Sequence, residues 1–279
     1  MNNASTRAIA PLCLAALLAG CQTPPAPPTS PDAVGEIRKG SGYLNGYLER
    51  KQLPDSLALL PPPPAPGSAQ QAADLDTYRS TRALRDTPRW ALAAKDADLH
   101  FPAAAATFEC ALRMPISAQA TPHLNMLLRR TLVDAALATY AAKDKYQRQR
   151  PFVATGGPSC TPAEQAALAK DGSYPSGHPA IGWAWALVLT QAAPRHSDAL
   201  LQRGVAFGES RVICGVHWQS DVEAGRTIGA ATVARLQSDA TFNAQLALAR
   251  DEIALAQAQG TKPGADCAAE AAALALSQP

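Results

Sequence analysis

Long apolar runs are what this sequence most conspicuously lacks. After residue 21 no stretch approaches the ~20 consecutive apolar residues that span a bilayer, which excludes a protein of several membrane-crossing helices. Runs of lysine and arginine are absent as well, and a formal net charge of +2 is too small to attract nucleic acid. No C-x2-C pair and no neighbouring histidine pair are present, so the cysteines do not read as a zinc site. Runs of β-branched residues are few, and no segment alternates convincingly between apolar and polar residues. The chain is therefore expected to be all-α.

What is present is a length of 279 residues with 47% hydrophobic content, enough to bury a full core in one domain. Arg7 precedes an apolar stretch over residues 8–20, the pattern of a secretory signal, and the stretch is too short to cross a membrane. It ends in Leu18-Ala19-Gly20-Cys21, which resembles a bacterial lipobox and makes Cys21 the expected site of lipidation. A soluble export signal cut near the same point is the alternative. The Pro-rich run from Pro24 to Pro28 then reads as a semi-rigid tether. The expected organisation is a signal at 1–20, lipidated cysteine and tether at 21–35, a catalytic domain at 36–260 and a tail at 261–279, held at the cell envelope or in the periplasm.

Export permits disulfides. Cys13 leaves with the signal, so Cys110, Cys160, Cys214 and Cys267 remain, with three possible pairings. A second Pro-rich run, Pro61 to Pro66, cannot lie inside a helix or central strand and marks a surface connection.

From Asp74 onward Ala, Leu, Arg and Gln dominate, which favours helices. Thr121-Pro122 has the form of an N-cap followed by proline at the first helical position. Leu124, Leu127, Leu128, Leu132 and Ala135 then supply one buried face. Further helices are expected over 181–191, 198–208, 222–236 and 242–257. Together they predict a compact multi-helix bundle.

Three segments carry the chemistry. They are Lys143-x6-Arg150-Pro151, then Pro175-Ser176-Gly177-His178, then Ser210-Arg211-x5-His217-x3-Asp221. In this order they resemble the three-part signature of the type 2 phosphatidic acid phosphatase superfamily, which includes vanadium-dependent haloperoxidases. The text from Gly172 to His178 and from Ser210 to Asp221 is similar to that of class A bacterial nonspecific acid phosphatases. One departure is Pro179, where that class usually has threonine.

Phosphoryl transfer needs the anion held, its charge spread over the oxygens stabilised, a nucleophile in line and a proton for the leaving oxygen. Lys143 and Arg150, seven residues apart, are expected to project from one face of a helix and converge on a phosphate. Ser176 and Gly177 belong to a turn entering a helix near Ala180, whose free N–H groups would seat the anion. Arg211 is a further phosphate ligand and His217 the nucleophile, oriented through its second nitrogen by Asp221. By resemblance, His178 is the general acid. The two histidine pKa values are expected to move in opposite senses, giving a bell-shaped profile on the acidic side of neutrality.

These motifs are rich in cations rather than metal ligands, so neither a cofactor nor a metal is expected. Small-molecule phosphomonoesters are the expected substrates, and the resemblance implies a homo-oligomer. Tyr174 and Trp218 could stack on an aryl or nucleoside group, or pack in the core. Cys160 lies between the first two motifs and Cys214 within the third, so both are drawn to one pocket. The expected disulfides are Cys160 with Cys214 and Cys110 with Cys267. A vanadate-dependent haloperoxidase, a membrane lipid phosphatase and a non-catalytic envelope lipoprotein are the alternatives.

Overall fold

The computed structural model describes residues 25–277. The signal at 1–20, Cys21 and the start of the tether lie outside the described residues. Numbering the α-helices of five residues or more, the chain runs through α1 (Ala69–Thr81), α2 (Pro88–Lys95), α3 (Pro122–Leu137), α4 (Tyr140–Tyr146) and α5 (Pro151–Thr155). It continues through α6 (Gly177–Ala192), α7 (Ser197–Ile213), α8 (Gln219–Leu236), α9 (Ala240–Ala258) and α10 (Cys267–Ala275). Among the described residues the sole strand-like feature is an isolated antiparallel bridge between Glu36 and Leu44. The fold is all-α, as the composition predicts. No helix of the described residues is long and apolar enough to cross a membrane.

Helix α6 is the axis of the bundle. It packs against α3, α7, α8 and α9, and Ala180, Ile181, Ala184, Trp185, Val188 and Leu189 are buried along it. Trp185 is the largest fully buried side chain, and burial obliges its indole N–H to find an acceptor, which is the Leu128 carbonyl of α3 at 2.8 Å. Small residues set the closest approach. A Cβ at Gly225 of α8 would overlap the carbonyl oxygen of Ser176, so α8 can lie against the first turn of α6 only with glycine there.

The helices begin where local chemistry dictates. Ser68, Thr87, Asp239 and Asp266 each accept a hydrogen bond from a backbone N–H of the turn that follows. Pro88, Pro122 and Pro151 occupy first-turn positions, where their missing N–H costs nothing. At α3, however, the Thr121 side chain does not cap. The carboxylate of Glu252, from α9, accepts from the backbone N–H of His123 and of Leu124, both at 2.9 Å.

Helices at the site are longer than the periodicity predicts. α6 begins at Gly177 rather than near Ala180, because Pro179 falls in the first turn, where proline is tolerated. α7 passes through Gly208 to Ile213, since that glycine serves close packing against Val222 and Pro179 rather than termination.

The residues from 261 onward, expected as a tail, include α10, which packs on α2. Cys110 and Cys267 are bridged, with Cα atoms 5.4 Å apart, and so are Cys160 and Cys214, at 4.6 Å. Both pairings match the expectation.

Candidate active site

The three motif segments meet at a cavity of about 180 Å³. Lys143, Arg150, Gly177, His178, Arg211 and His217 line it, with Leu99, Ala136, Leu168 and Ile181 forming an apolar part of the wall. Ser176 and Asp221 are fully buried just behind this surface.

Lys143 and Arg150 do converge, but not from one helical face. Proline at 151 disfavours helical backbone at the residue before it, so α4 stops at Tyr146, Gln147 turns left-handed with φ 42°, and Arg150 becomes the extended N-cap of α5. The two cations therefore reach the cavity from two elements. Lys143 donates from Nζ to the Gly172 carbonyl at 2.7 Å and lies 3.7 Å from Asp171. Arg150 donates to the carbonyls of Leu168 at 2.8 Å and Val216 at 3.1 Å, and pairs with Asp171 at 3.0 Å.

Arg211 behaves differently. Its side chain is 1% exposed, yet neither Nε nor Nη1 has a hydrogen-bond partner among the described residues. An unpaired buried guanidinium is costly, and this one lies on the cavity wall. The Ser176 hydroxyl is likewise buried without a partner. Gly177 opens the first turn of α6, and a Cβ there would meet nothing nearer than Thr139 Oγ1 at 3.9 Å. The turn therefore offers free N–H groups to an anion with no side chain in the way.

A turn at the end of α7 delivers His217. Gly215 adopts φ +80°, which a side chain would resist, and the N–H groups of Val216 and His217 both fold back onto the Arg211 carbonyl. Arg82 caps the same helix end through Nη2, which donates to the carbonyls of Val212 at 2.8 Å and Ile213 at 2.6 Å. The Cys160–Cys214 bridge ties this turn to the loop between the first two motifs.

Nε2 of His217 is 2.9 Å from Arg150 Nη1, so it accepts a hydrogen bond and the ring proton sits on Nδ1. That nitrogen faces Oδ2 of Asp221 at 3.5 Å. The orientation is the expected one, but the expected hydrogen bond is not formed. Asp221 instead accepts from Arg148 at 2.6 Å and from the Trp218 backbone N–H at 2.8 Å.

Arg148 is the residue that sequence reasoning missed, since it falls among the unspecified positions between Lys143 and Arg150. Its side chain is 8% exposed and bridges Asp221 to Asp74 of α1, at 2.7 Å from the latter. Asp74 also accepts from the Ser220 N–H and hydroxyl, locking α1 onto the first turn of α8. Nothing in the spacing links residues 74, 148 and 221, so only the fold reveals the group.

Burial and the surrounding cations act on both histidines of the cavity. Burial first, then Arg211, holds His178 well below the ordinary histidine range. Burial, then Arg150, Lys143 and Arg211, does the same to His217. The expected opposite shifts are therefore not found, because the same cations repel a proton on either ring. Burial also brings Lys143 down to about 8 and Arg211 to about 10. The Asp221 carboxyl is raised by burial, with Arg148 opposing.

Tyr174 and Trp218 do not line the cavity. Each is buried with its polar atom satisfied, the Tyr174 hydroxyl by the Pro61 carbonyl and the Trp218 indole by that of Gln149, so both pack rather than stack on a ligand. Among the described residues no group of three or more His, Cys, Asp or Glu side chains is placed to hold a metal ion. Three cations, two neutral imidazoles and a helix N-terminus make a receptor suited to an oxyanion.

Comparison with known proteins agrees with this geometry. The family model described as the PAP2 superfamily matches residues 122–242. The non-specific acid phosphatase of Providencia stuartii is 49% identical over 209 residues, which covers 75% of this chain and 84% of that protein. The acid phosphatase of Zymomonas mobilis is 44% identical over 209 residues, covering 75% and 79%. The non-specific acid phosphatase of Salmonella typhimurium is 43% identical over 195 residues, covering 70% and 78%.

Proposed function

This chain belongs to the PAP2 superfamily and is an acid phosphatase of that group, and from that premise we propose that it hydrolyses phosphomonoesters through a phosphohistidine formed on His217. The observation that carries the proposal is the Arg211 guanidinium, whose Nε and Nη1, on the cavity that His217 also lines, are buried without a partner among the described residues. Such a group is complete only when an oxyanion fills the cavity.

In the proposed sequence the substrate phosphoryl group takes hydrogen bonds from Arg211, Lys143, Arg150, the Ser176 hydroxyl and the N–H groups of the α6 first turn. Nε2 of His217 attacks phosphorus with its lone pair as the bond to the ester oxygen breaks. The phosphomonoester enters as its monoanion and shares its proton with Nδ1 of His178, which passes it to the departing oxygen, so an alcohol leaves and a phosphoimidazole remains. Positive charge on that ring is stabilised by the Asp221 carboxylate, for which closing 3.5 Å to a hydrogen bond requires only a small shift. Water then attacks phosphorus, His178 takes the water's proton, and the P–N bond breaks to free inorganic phosphate and neutral His217.

Broad specificity follows from where the polar groups are. The cations cluster with the histidines, while Leu99, Ala136, Leu168 and Ile181 offer a leaving group no directed hydrogen bonds and only Thr139 and Tyr140 add neutral polar side chains to the wall. Two disulfides favour an oxidising compartment, and with the signal-like residues 1–20 and Cys21 they support an exported, lipid-anchored enzyme.

The test is phosphate release from aryl, alkyl and nucleoside phosphates at acidic pH, with and without chelator, together with trapping of an acid-labile, base-stable phosphoenzyme. Release unaffected by chelator and inhibited by vanadate is expected. Reactivation of chelator-treated enzyme by zinc or magnesium would overturn the metal-free part, and vanadate-dependent bromide oxidation without phosphate release would assign the cavity to a haloperoxidase instead.

A further inference from the structure

Behind His178 lies a buried charged cluster that the proposed chemistry leaves without a role. Asp96, at the C-terminal end of α2, is 2% exposed. Its Oδ1 accepts from Arg203 Nη2 at 2.5 Å, and its Oδ2 accepts from Arg203 Nη1 at 3.1 Å and from the Ser210 hydroxyl at 2.6 Å. Arg203, on α7, also lies 3.3 Å from Glu270 of α10, the helix held by the Cys110–Cys267 bridge. Burial opposes charge on Arg203, but the two carboxylates outweigh it and raise its pKa above the ordinary value.

The next residue, Ala97, touches the active site. Its carbonyl oxygen is 3.0 Å from Nε2 of His178. A carbonyl can only accept, so Nε2 carries a hydrogen and Nδ1 is the nitrogen left to exchange a proton with substrate. Phe207 lies nearly parallel to the imidazole with ring centroids 6.2 Å apart, which restricts the ring plane, while the Ala97 carbonyl restricts rotation within it.

We infer that Asp96 is a positioning residue for His178: its ion pair with Arg203 fixes the Ala97 carbonyl, and that carbonyl fixes the tautomer and direction of the imidazole. Three charge-assisted hydrogen bonds with fixed directions leave the carboxylate no alternative arrangement, so the backbone that follows it is held too. Through Arg203 and Glu270 the same constraint reaches α10, which contributes no residue to the cavity. Asp96 also holds Ser210, the neighbour of Arg211, so its loss is expected to weaken phosphate binding for every substrate alike. The inference rests on the proposed role of His178 as general acid.

The test separates leaving-group effects from general damage. An Asp96→Asn variant keeps the side-chain volume and loses the charge. Its kcat/KM is measured with an aryl phosphate that has a good leaving group and with an alkyl phosphate that needs protonation, alongside His178→Ala and the double variant. The expected result is about tenfold more loss on the alkyl ester than on the aryl ester, with no additional selectivity when Asp96→Asn is placed in the His178→Ala background. Equal loss on the two esters, or selective losses that multiply in the double variant, would overturn the inference. Should Asp96→Asn not fold, Glu270→Gln carries the same comparison one link further out, with a smaller selective loss expected and an unchanged ester ratio counting against the proposal. Absence of phosphate release by the unaltered protein would instead refute the phosphatase chemistry itself, so the two failures are distinguishable.

Discussion

Arg150 Nη1 donates to Nε2 of His217 across 2.9 Å, so a group of the anion site is hydrogen-bonded to the nitrogen proposed to attack the anion. That contact occupies the lone pair of Nε2 and leaves the ring proton on the opposite side, toward Asp221. An arriving phosphoryl oxygen competes for the same N–H, which would release the lone pair where phosphorus sits. Nucleophile and receptor are thus aligned before substrate enters.

Replacing His217 with alanine is expected to abolish both turnover and covalent labelling, whereas His178→Ala should still form the phosphoenzyme from aryl phosphates. The alcohol leaving group of an alkyl ester is the species that needs a proton. Rapid-quench labelling checks both variants, and a phosphohistidine trapped in the His217→Ala protein would reassign the nucleophile.

Arg148 offers a test of stability rather than chemistry. Truncation to alanine leaves the carboxylates of Asp74 and Asp221 buried and unpaired. Breaking a buried pair from one side costs on the order of 3–5 kcal/mol, and urea denaturation should show a loss of that size. Arg148→Lys should recover part of it, since one ammonium cannot span both carboxylates with the geometry of a guanidinium.

The contrast between Arg148 and His217 shows what the sequence could reveal. His217, His178, Arg211 and Arg150 stand in short motifs whose internal spacing already limits their geometry, and the structure brings them to one cavity. Asp74–Arg148–Asp221 and Asp96–Arg203–Glu270 are assembled from positions far apart in the chain, and no local pattern announces them. The expectation for Lys143 and Arg150 has the right destination and the wrong route, because Pro151 holds residue 150 out of the helical backbone that the spacing assumes. Helix interiors were legible from periodicity. Their ends were not, where Pro179 and Gly208 serve packing rather than termination.

The Cys160–Cys214 bridge should matter more to the site than its small size suggests. It closes a sequence separation of 54 residues, for which the chain-entropy model gives about 4 kcal/mol. Replacing both cysteines with serine is expected to lower the thermal midpoint and, because Cys214 precedes the Gly215 turn, to raise KM through a less fixed His217. Non-reducing peptide mapping that found either cysteine free would remove the basis for this expectation.

The last prediction concerns pH, where the two imidazoles act on stability and on turnover. Both are held well below the ordinary histidine value near ~6.5. As pH falls through that value the unfolded chain takes up protons that the folded protein refuses, so the stability present above it is lost on acidification. A bound oxyanion reverses the repulsion, and saturating orthophosphate should therefore flatten the decline in urea-unfolding free energy between neutral and acidic pH. For turnover, the depressed value keeps His217 neutral and nucleophilic well into the acidic range. His178 has the opposite need, because the free enzyme does not hold the proton it must donate. A phosphomonoester with a second pKa near ~6 can carry that proton in as the monoanion, after which the complex shares it between phosphoryl group and imidazole. The productive complex is then lost as pH rises above roughly 6, which gives kcat/KM an alkaline limb without any histidine titrating there in the free enzyme. Alkyl phosphates should show that limb in full, and His178→Ala should flatten it for aryl phosphates, which leave without protonation. An optimum above neutral pH, or an alkaline limb unchanged by His178→Ala, would show that the proton reaches the leaving group by another route.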